Sequence, residues 1–161
     1  MTTLTAEGLV LRGWDDADMD VLLAIHRDPE LRNRLREPLT TADEASAWIA
    51  AQQDGTRTGT RISYAVIDGD RLSGCVVLKD KHEIGYWTAA HARGRDVASR
   101  SVRALAAWAC GDGITELEIR HQIDNAASCR VAEKAGFPLR ETLPAAPPWP
   151  LPGHVHTRRC S

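Results

Sequence analysis

The stretch ARGRDVAS, residues 92–99, brings together residue types that suit a phosphate. Gly94 gives a flexible turn, and Arg93 and Arg95 give planar cations that can grip phosphate oxygens two at a time. The apolar spacing from Val97 onward predicts a helix. The first turn of a helix presents free N–H groups and the positive end of its dipole to an anion. Asp96 complicates this arrangement, because a carboxylate roughly 5 Å from a phosphate costs about 1–3 kcal/mol at effective dielectrics of 20–80. Two local conformations are open to it. Asp tolerates positive φ, so the turn can survive with Asp96 in it. Alternatively, its side chain caps the N–H of Ala98 or Ser99 and takes the anion's place. Arg93, Arg95 and Arg100 are placed to offset the charge.

A second group of chemically capable residues points less clearly. His154 and His156 recur at i, i+2, with His82, His121 and Cys160 elsewhere, but no zinc-ligand spacing joins them, so no metal is expected. The cysteines, Cys75, Cys110, Cys129 and Cys160, form no CxxC or CxxH pair. Reduced thiols and a cytoplasmic location are the expectation. No amino-terminal basic segment leads into an apolar run, and no eighteen apolar residues run together, so neither secretion nor a membrane span is expected. A net charge of −2 gives no reason to expect nucleic acid. With 161 residues, the chain reads as one domain, 1–161, able to bury its own core.

The elements that must hold these residues follow from periodicity. Residues 9–12 (LVLR) read as a strand. Asp15 or Asp16 caps a helix to about His26, with Pro29 as its stop. Thr41 and Glu44 have capping-box spacing at the head of a helix over 39–53, closed by Gly55 and Gly59. The period then changes from 3.6 to 2: RISYAVI, a DGD turn, LSGCVVLK and HEIGYWT form a meander of three strands. A helix over 97–110 and a strand over 115–121 follow. Asn125 caps a helix that Gly136 ends. Residues 138–143 and 154–159 are final strands around a Pro-rich stretch carrying Trp149. The order is β-α-α-β-β-β-α-β-α-β-β, an α/β fold with a mixed, mostly antiparallel sheet flanked by helices. Its strand–helix–strand unit at 82–121 is expected to be parallel and right-handed.

On these residues the chain resembles a known family. EIGYWTAAHARGRDVASRSVRALAAWA followed by IRHQIDNAASCRVAEKAGF is similar to the two core motifs of the GNAT acyltransferases, with most likeness to the RimJ/RimL-like branch. The resemblance covers residues 8–144. It implies acetyl-CoA as cosubstrate, with the pyrophosphate on the main-chain amides of Arg93, Gly94, Arg95, Asp96, Val97 and Ala98, next to Ser99. Asp96 stands where the family has its inner glycine. The pantetheine arm is expected along Trp87 and Thr88, and the oxyanion on a main-chain N–H near them. Asn125 falls beside the pantetheine, and Ser128 near the thioester sulfur, where it would protonate the departing thiolate. Arg130 and Lys134 either reach the nucleotide phosphates or form a solvated face with Glu133.

Acetyl transfer to an amine needs a base for the ammonium proton. Glu83, at the start of the strand leading to the pocket, is the first candidate. His121, at the end of the neighbouring strand, is the second, with an ordinary pKa near 6.5. The branch's later Glu has no counterpart in PAAPPWPLP. The implied activity is direct acetyl transfer to a primary amine of a small molecule or a protein N-terminus. Asp96 and the missing Glu motivate an alternative, a protein of the same fold that binds acyl-CoA with little or no transfer. The expected partners are acetyl-CoA and an amine acceptor, with no nucleic acid or membrane; a homodimer is left open.

Overall fold

A computed structural model describes residues 2–161. Two cores of interleaved side chains face opposite sides of one eight-stranded sheet, because alternate residues of a strand point to opposite faces. The chain enters through a hairpin, β1 (Leu4–Ala6) and β2 (Leu9–Arg12), turned by Glu7 and Gly8 at positive φ. Helices α1 (Met19–Ile25), α2 (Pro29–Arg34) and α3 (Ala42–Thr58) follow. The meander β3 (Arg61–Asp68), β4 (Arg71–Lys79) and β5 (Glu83–Thr88) leads to α4 (Val97–Gly111), β6 (Glu116–Gln122) and α5 (Ala126–Lys134). Strands β7 (Leu139–Leu143) and β8 (Gly153–Arg159) complete the sheet, in the order β1-β2-β3-β4-β5-β6-β8-β7.

Tyr64, Val66, Val76 and Leu78 point toward α4 and α5, where they meet Val102, Leu105 and Phe137. Ala65 and Cys75 point the other way, toward Leu22, Ile49 and a group of three tryptophans, Trp14, Trp48 and Trp87. Both faces of the central strands are therefore buried. Among the described residues only β5 and β6 run parallel, as expected of the strand–helix–strand unit.

Three sequence expectations are corrected. Pro29 ends no more than the first helix: Asp28 accepts the Leu31 N–H, and Pro29 takes the first position of α2, where its missing N–H costs nothing. Helix α3 runs through Gly55 and stops only where Gly59 turns left-handed. Cys110 and Cys160 are joined by a disulfide, with Cα atoms 5.3 Å apart, so only Cys75 and Cys129 are free thiols. The pair, 50 positions apart, carries no spacing motif; the end of α4 and the end of β8 meet only through the sheet order. Among the described residues no helix is long and apolar enough to cross a membrane.

Candidate active site

Strands β5 and β6 share a single register pair, Glu83 with Glu118, and then part. The opening between them is a cleft of about 1170 Å³, walled by Ile84–Thr88 on one side and by Arg120–Gln122 on the other. The amino end of α4 and the first turn of α5 also line it.

The direction of the β5 main chain follows from its pairing with β4. The Ala89 N–H donates to Ser73 O at 2.9 Å, and opposed residues of an antiparallel pair alternate between bonded and non-bonded. Gly85 and Trp87 therefore bond back to β4, while Tyr86 and Thr88 turn their N–H and C=O groups to the cleft. Of the two residues expected to offer main-chain groups there, Thr88 does so and Trp87 does not. The Trp87 ring packs on Trp14, Trp48 and His26. Gly74 makes this edge feasible: a Cβ there would lie 2.6 Å from Trp87 O.

At the α4 end, the conformational question posed by Asp96 has a definite answer. Asp96 adopts φ +57°, immediately after Gly94 at +77° and Arg95, and its side chain caps no helix N–H. The first helical bond runs from the Arg100 N–H to Asp96 O, at 2.9 Å, so the amides of Val97, Ala98 and Ser99 stay open. The Asp96 carboxylate turns aside to the Lys134 ammonium, at 2.7 Å. That hydrogen bond, with the Lys134 charge behind it, lowers the Asp96 pKa. The arginines expected to compensate Asp96 are engaged elsewhere: Arg93 with Asp28 and Glu30, Arg95 with Asp68, and Arg100 with Glu7 O and Arg95 O. Arg130 lines the cleft and has no ion pair among the described residues.

On the α5 side, Asn125 caps the helix, accepting the Ser128 N–H at 3.1 Å. Its side-chain carbonyl is thus committed locally. Ser128 is 9% exposed, and its hydroxyl is hydrogen-bonded to the Tyr86 hydroxyl. Tyr86 also donates to Ser128 O at 3.3 Å. Burial pushes the Tyr86 phenol up to about 12, outweighing the opposing effect of the Ser128 bond, so the group keeps its proton. This pair spans the cleft between β5 and α5. Sequence reasoning missed Tyr86: it stands in EIGYW, but nothing in that string points to a residue 42 positions away.

The two base candidates are separated. Glu83 sits at the closed end of the cleft, held by Lys79 Nζ at 3.0 Å. His121 lies on the β6 wall with its Nε2 facing His156 Nε2 at 2.9 Å. Burial above all, and then the neighbouring His156 and His154, hold His121 below its ordinary pKa, against the opposing pull of the Gln122 carbonyl. The structure brings Ser128, Asn125, Thr88, His121, Glu83 and the α4 turn to one cleft, with Trp87 in its wall.

Residues 8–138 match the acetyltransferase (GNAT) domain family. No curated protein matches the chain in sequence. Among solved structures, the ribosomal alpha-N-protein acetyltransferase RimL in complex with coenzyme A is 21% identical, with a TM-score of 0.90 and 98% of each chain covered. The microcin self-immunity acetyltransferase MccE, in complex with acetyl-CoA and AMP, is 15% identical, with a TM-score of 0.87 over 94% of this chain and 92% of that one. RimJ of Mycobacterium smegmatis in complex with CoA-disulfide is 14% identical, with a TM-score of 0.83 over 98% and 86%.

Proposed function

Because the chain belongs to the GNAT acetyltransferase domain family, we propose that it transfers the acetyl group of acetyl-CoA directly to a primary amine, as a RimJ/RimL-like enzyme acting through one domain. One observation carries this reading. The parting of β5 from β6 leaves a cleft with open helix amides at one end and a Ser128–Tyr86 pair across it. RimL and MccE, named as acetyltransferases with coenzyme A or acetyl-CoA bound, share the fold.

In this reading the amides of Val97, Ala98 and Ser99, with the Gly94 turn, hold the pyrophosphate. Arg130 reaches toward the nucleotide phosphates. Lys134 serves the phosphate site indirectly, by keeping Asp96 turned away. The pantetheine arm runs along β5 and pairs with the main chain of Tyr86 and Thr88. The amine nitrogen attacks the thioester carbonyl, whose oxygen takes the developing charge against a main-chain N–H of β5. When the C–S bond breaks, Ser128, oriented by the Tyr86 hydroxyl, gives its proton to the thiolate and regains one from solvent. Glu83 takes the proton that the amine sheds. His121 is left out of that role, because its Nε2 faces a second imidazole. Trp149 and the prolines around it line the acceptor end and favour a small or extended amine.

Asp96 supports the second reading, acyl-CoA binding without transfer, since it keeps a carboxylate at the phosphate turn. Two measurements separate the readings. Acetyl-CoA at a hundred times its Kd is expected to stabilise the fold by about 2.7 kcal/mol. Thiol release is then followed across peptide amino termini and small amines. Binding without release on any amine selects the second reading. No stabilisation at millimolar acetyl-CoA rules out both.

A further inference from the structure

Three histidines stand on one face of the β6–β8 pair. His121 is directly opposite His154 in the ladder, and His156 is two residues further along β8. Cys129, on α5, completes the group: one donor atom from each of the four residues lies within 4.8 Å of the others. Two of the rings are fixed in orientation and tautomer. His121 Nδ1 is 2.7 Å from Gln122 O, and His156 Nδ1 is 2.9 Å from Phe137 O. A carbonyl oxygen only accepts, so both Nδ1 atoms carry hydrogen and both Nε2 atoms carry lone pairs. Those two lone pairs face each other at 2.9 Å. His154 adds a buried Nδ1 with no hydrogen-bond partner.

Two facing lone pairs need a positive species between them. A shared proton would serve His121 and His156, but would leave unexplained why a third ring and a thiol converge on the same point. We infer that Cys129, His121, His154 and His156 form a binding site for a divalent transition metal, zinc in the first place. Three imidazoles and a thiolate are the donor set of a borderline-soft ion in tetrahedral geometry. Bond lengths of about 2.0–2.3 Å imply donor separations of about 3.3–3.8 Å. The His121–His156 pair must open slightly to reach that range, and the widest pair must close by about 1 Å. The carbonyl partners of His121 and His156 are those that ordinarily orient metal-bound imidazoles. Cys129 has one competing contact, Glu133 Oε1 at 3.8 Å, which binding would break along with loss of the thiol proton. An ion there ties α5 to β6 and β8.

The test uses the full chain, stripped with a chelator and titrated with Co2+ as a coloured substitute for Zn2+. A single equivalent is expected to bind at micromolar concentration. It should give the intense visible absorption of four-coordinate cobalt and a thiolate-to-cobalt charge-transfer band, both removed by Zn2+. Cys129→Ser should abolish the charge-transfer band, and Cys129→Ser and His154→Gln should each weaken uptake at least about tenfold. His156 is fully buried, so its replacement endangers the fold, and the readout rests on the two more accessible ligands. The inference is overturned by the absence of saturable uptake, or by uptake that both variants leave unchanged. Histidine NMR showing one proton shared by His121 and His156, undisturbed by Zn2+, would overturn it equally.

Discussion

The two ends of the cleft are built differently. At the α4 end, Arg93, Arg95, Asp96 and Lys134 reach into solvent and pair with partners on other elements. At the α5 end, Tyr86, Ser128, His121 and His156 lie half-buried or buried, the two hydroxyls hydrogen-bonded and the two imidazole Nε2 atoms facing each other. Ion pairs in water are worth about 0–1 kcal/mol and exchange freely, so the first end can trade its partners for a phosphate ligand. Groups in a drier setting that already point at one another need no rearrangement when charge develops. On the proposed reading, the first end tunes affinity and the second sets the rate.

The sharpest test of that division is Ser128→Ala. It should lower kcat by about 10²–10³, while the Kd of acetyl-CoA changes less than about threefold. An unchanged kcat, with chemistry shown to be rate-limiting, would remove Ser128 from the reaction.

The next effect belongs to the packed wall behind Trp87. His26 is buried, accepts the Leu39 N–H on Nδ1 at 3.1 Å, and meets the Trp87 ring edge-on. Burial, with a smaller push from Arg32, lowers its pKa to about 4. Between about pH 6.5 and 4 the unfolded chain binds a proton that the folded one refuses. The contribution is therefore complete above about 6.5 and is lost as pH falls toward 4, by a total of order 3 kcal/mol. Urea unfolding at pH 7 and 4.5 should show that slope, and His26→Gln should flatten it. Equal slopes in both proteins would contradict the assignment.

Gly74→Val tests the open strand edge. With a Cβ forced to within 2.6 Å of Trp87 O, β4 and β5 must move apart, at a cost of about 1–3 kcal/mol. A fold of unchanged midpoint in urea would mean that the edge adapts freely.

Asp96→Gly has the smallest effect and speaks for the exchangeable end. It removes a carboxylate and frees Lys134, so acetyl-CoA should bind about tenfold more tightly. The gain should shrink as salt rises. Because Asp96 caps nothing and already sits at positive φ, the urea midpoint should barely move. Weaker binding, measured by calorimetry, would show that the Asp96–Lys134 pair shapes the turn for its ligand.

Local signals made much of this legible beforehand. The 3.6 period of α4, the Asn125 cap and the alternation of β3 to β6 survive in the structure because their cores lie on the faces that the pattern marks. The positive φ open to Asp96 in the turn before α4 was legible too. What escaped was pairing across distance. Lys134 meets Asp96, Tyr86 meets Ser128, Cys110 meets Cys160 and His121 meets His156, each pair 35 to 50 residues apart. Such contacts depend on strand order, and β8 inserted between β6 and β7 has no signature in the string of residues. Helix α2 escaped for a local reason: a proline that stops one helix also begins another.

The Cys110–Cys160 bond turns the last third of the chain into a covalent ring. Inside it lie β6, α5, β7 and β8: one complete jaw of the cleft, with Ser128 and three of the histidines. Closing a ring of that size removes about 4 kcal/mol of disorder from the unfolded chain on a loop-entropy account. It also changes what a protease can do. A cut in the exposed stretch 144–151 would divide the backbone but leave both fragments joined through sulfur, and the nicked jaw would part only on reduction.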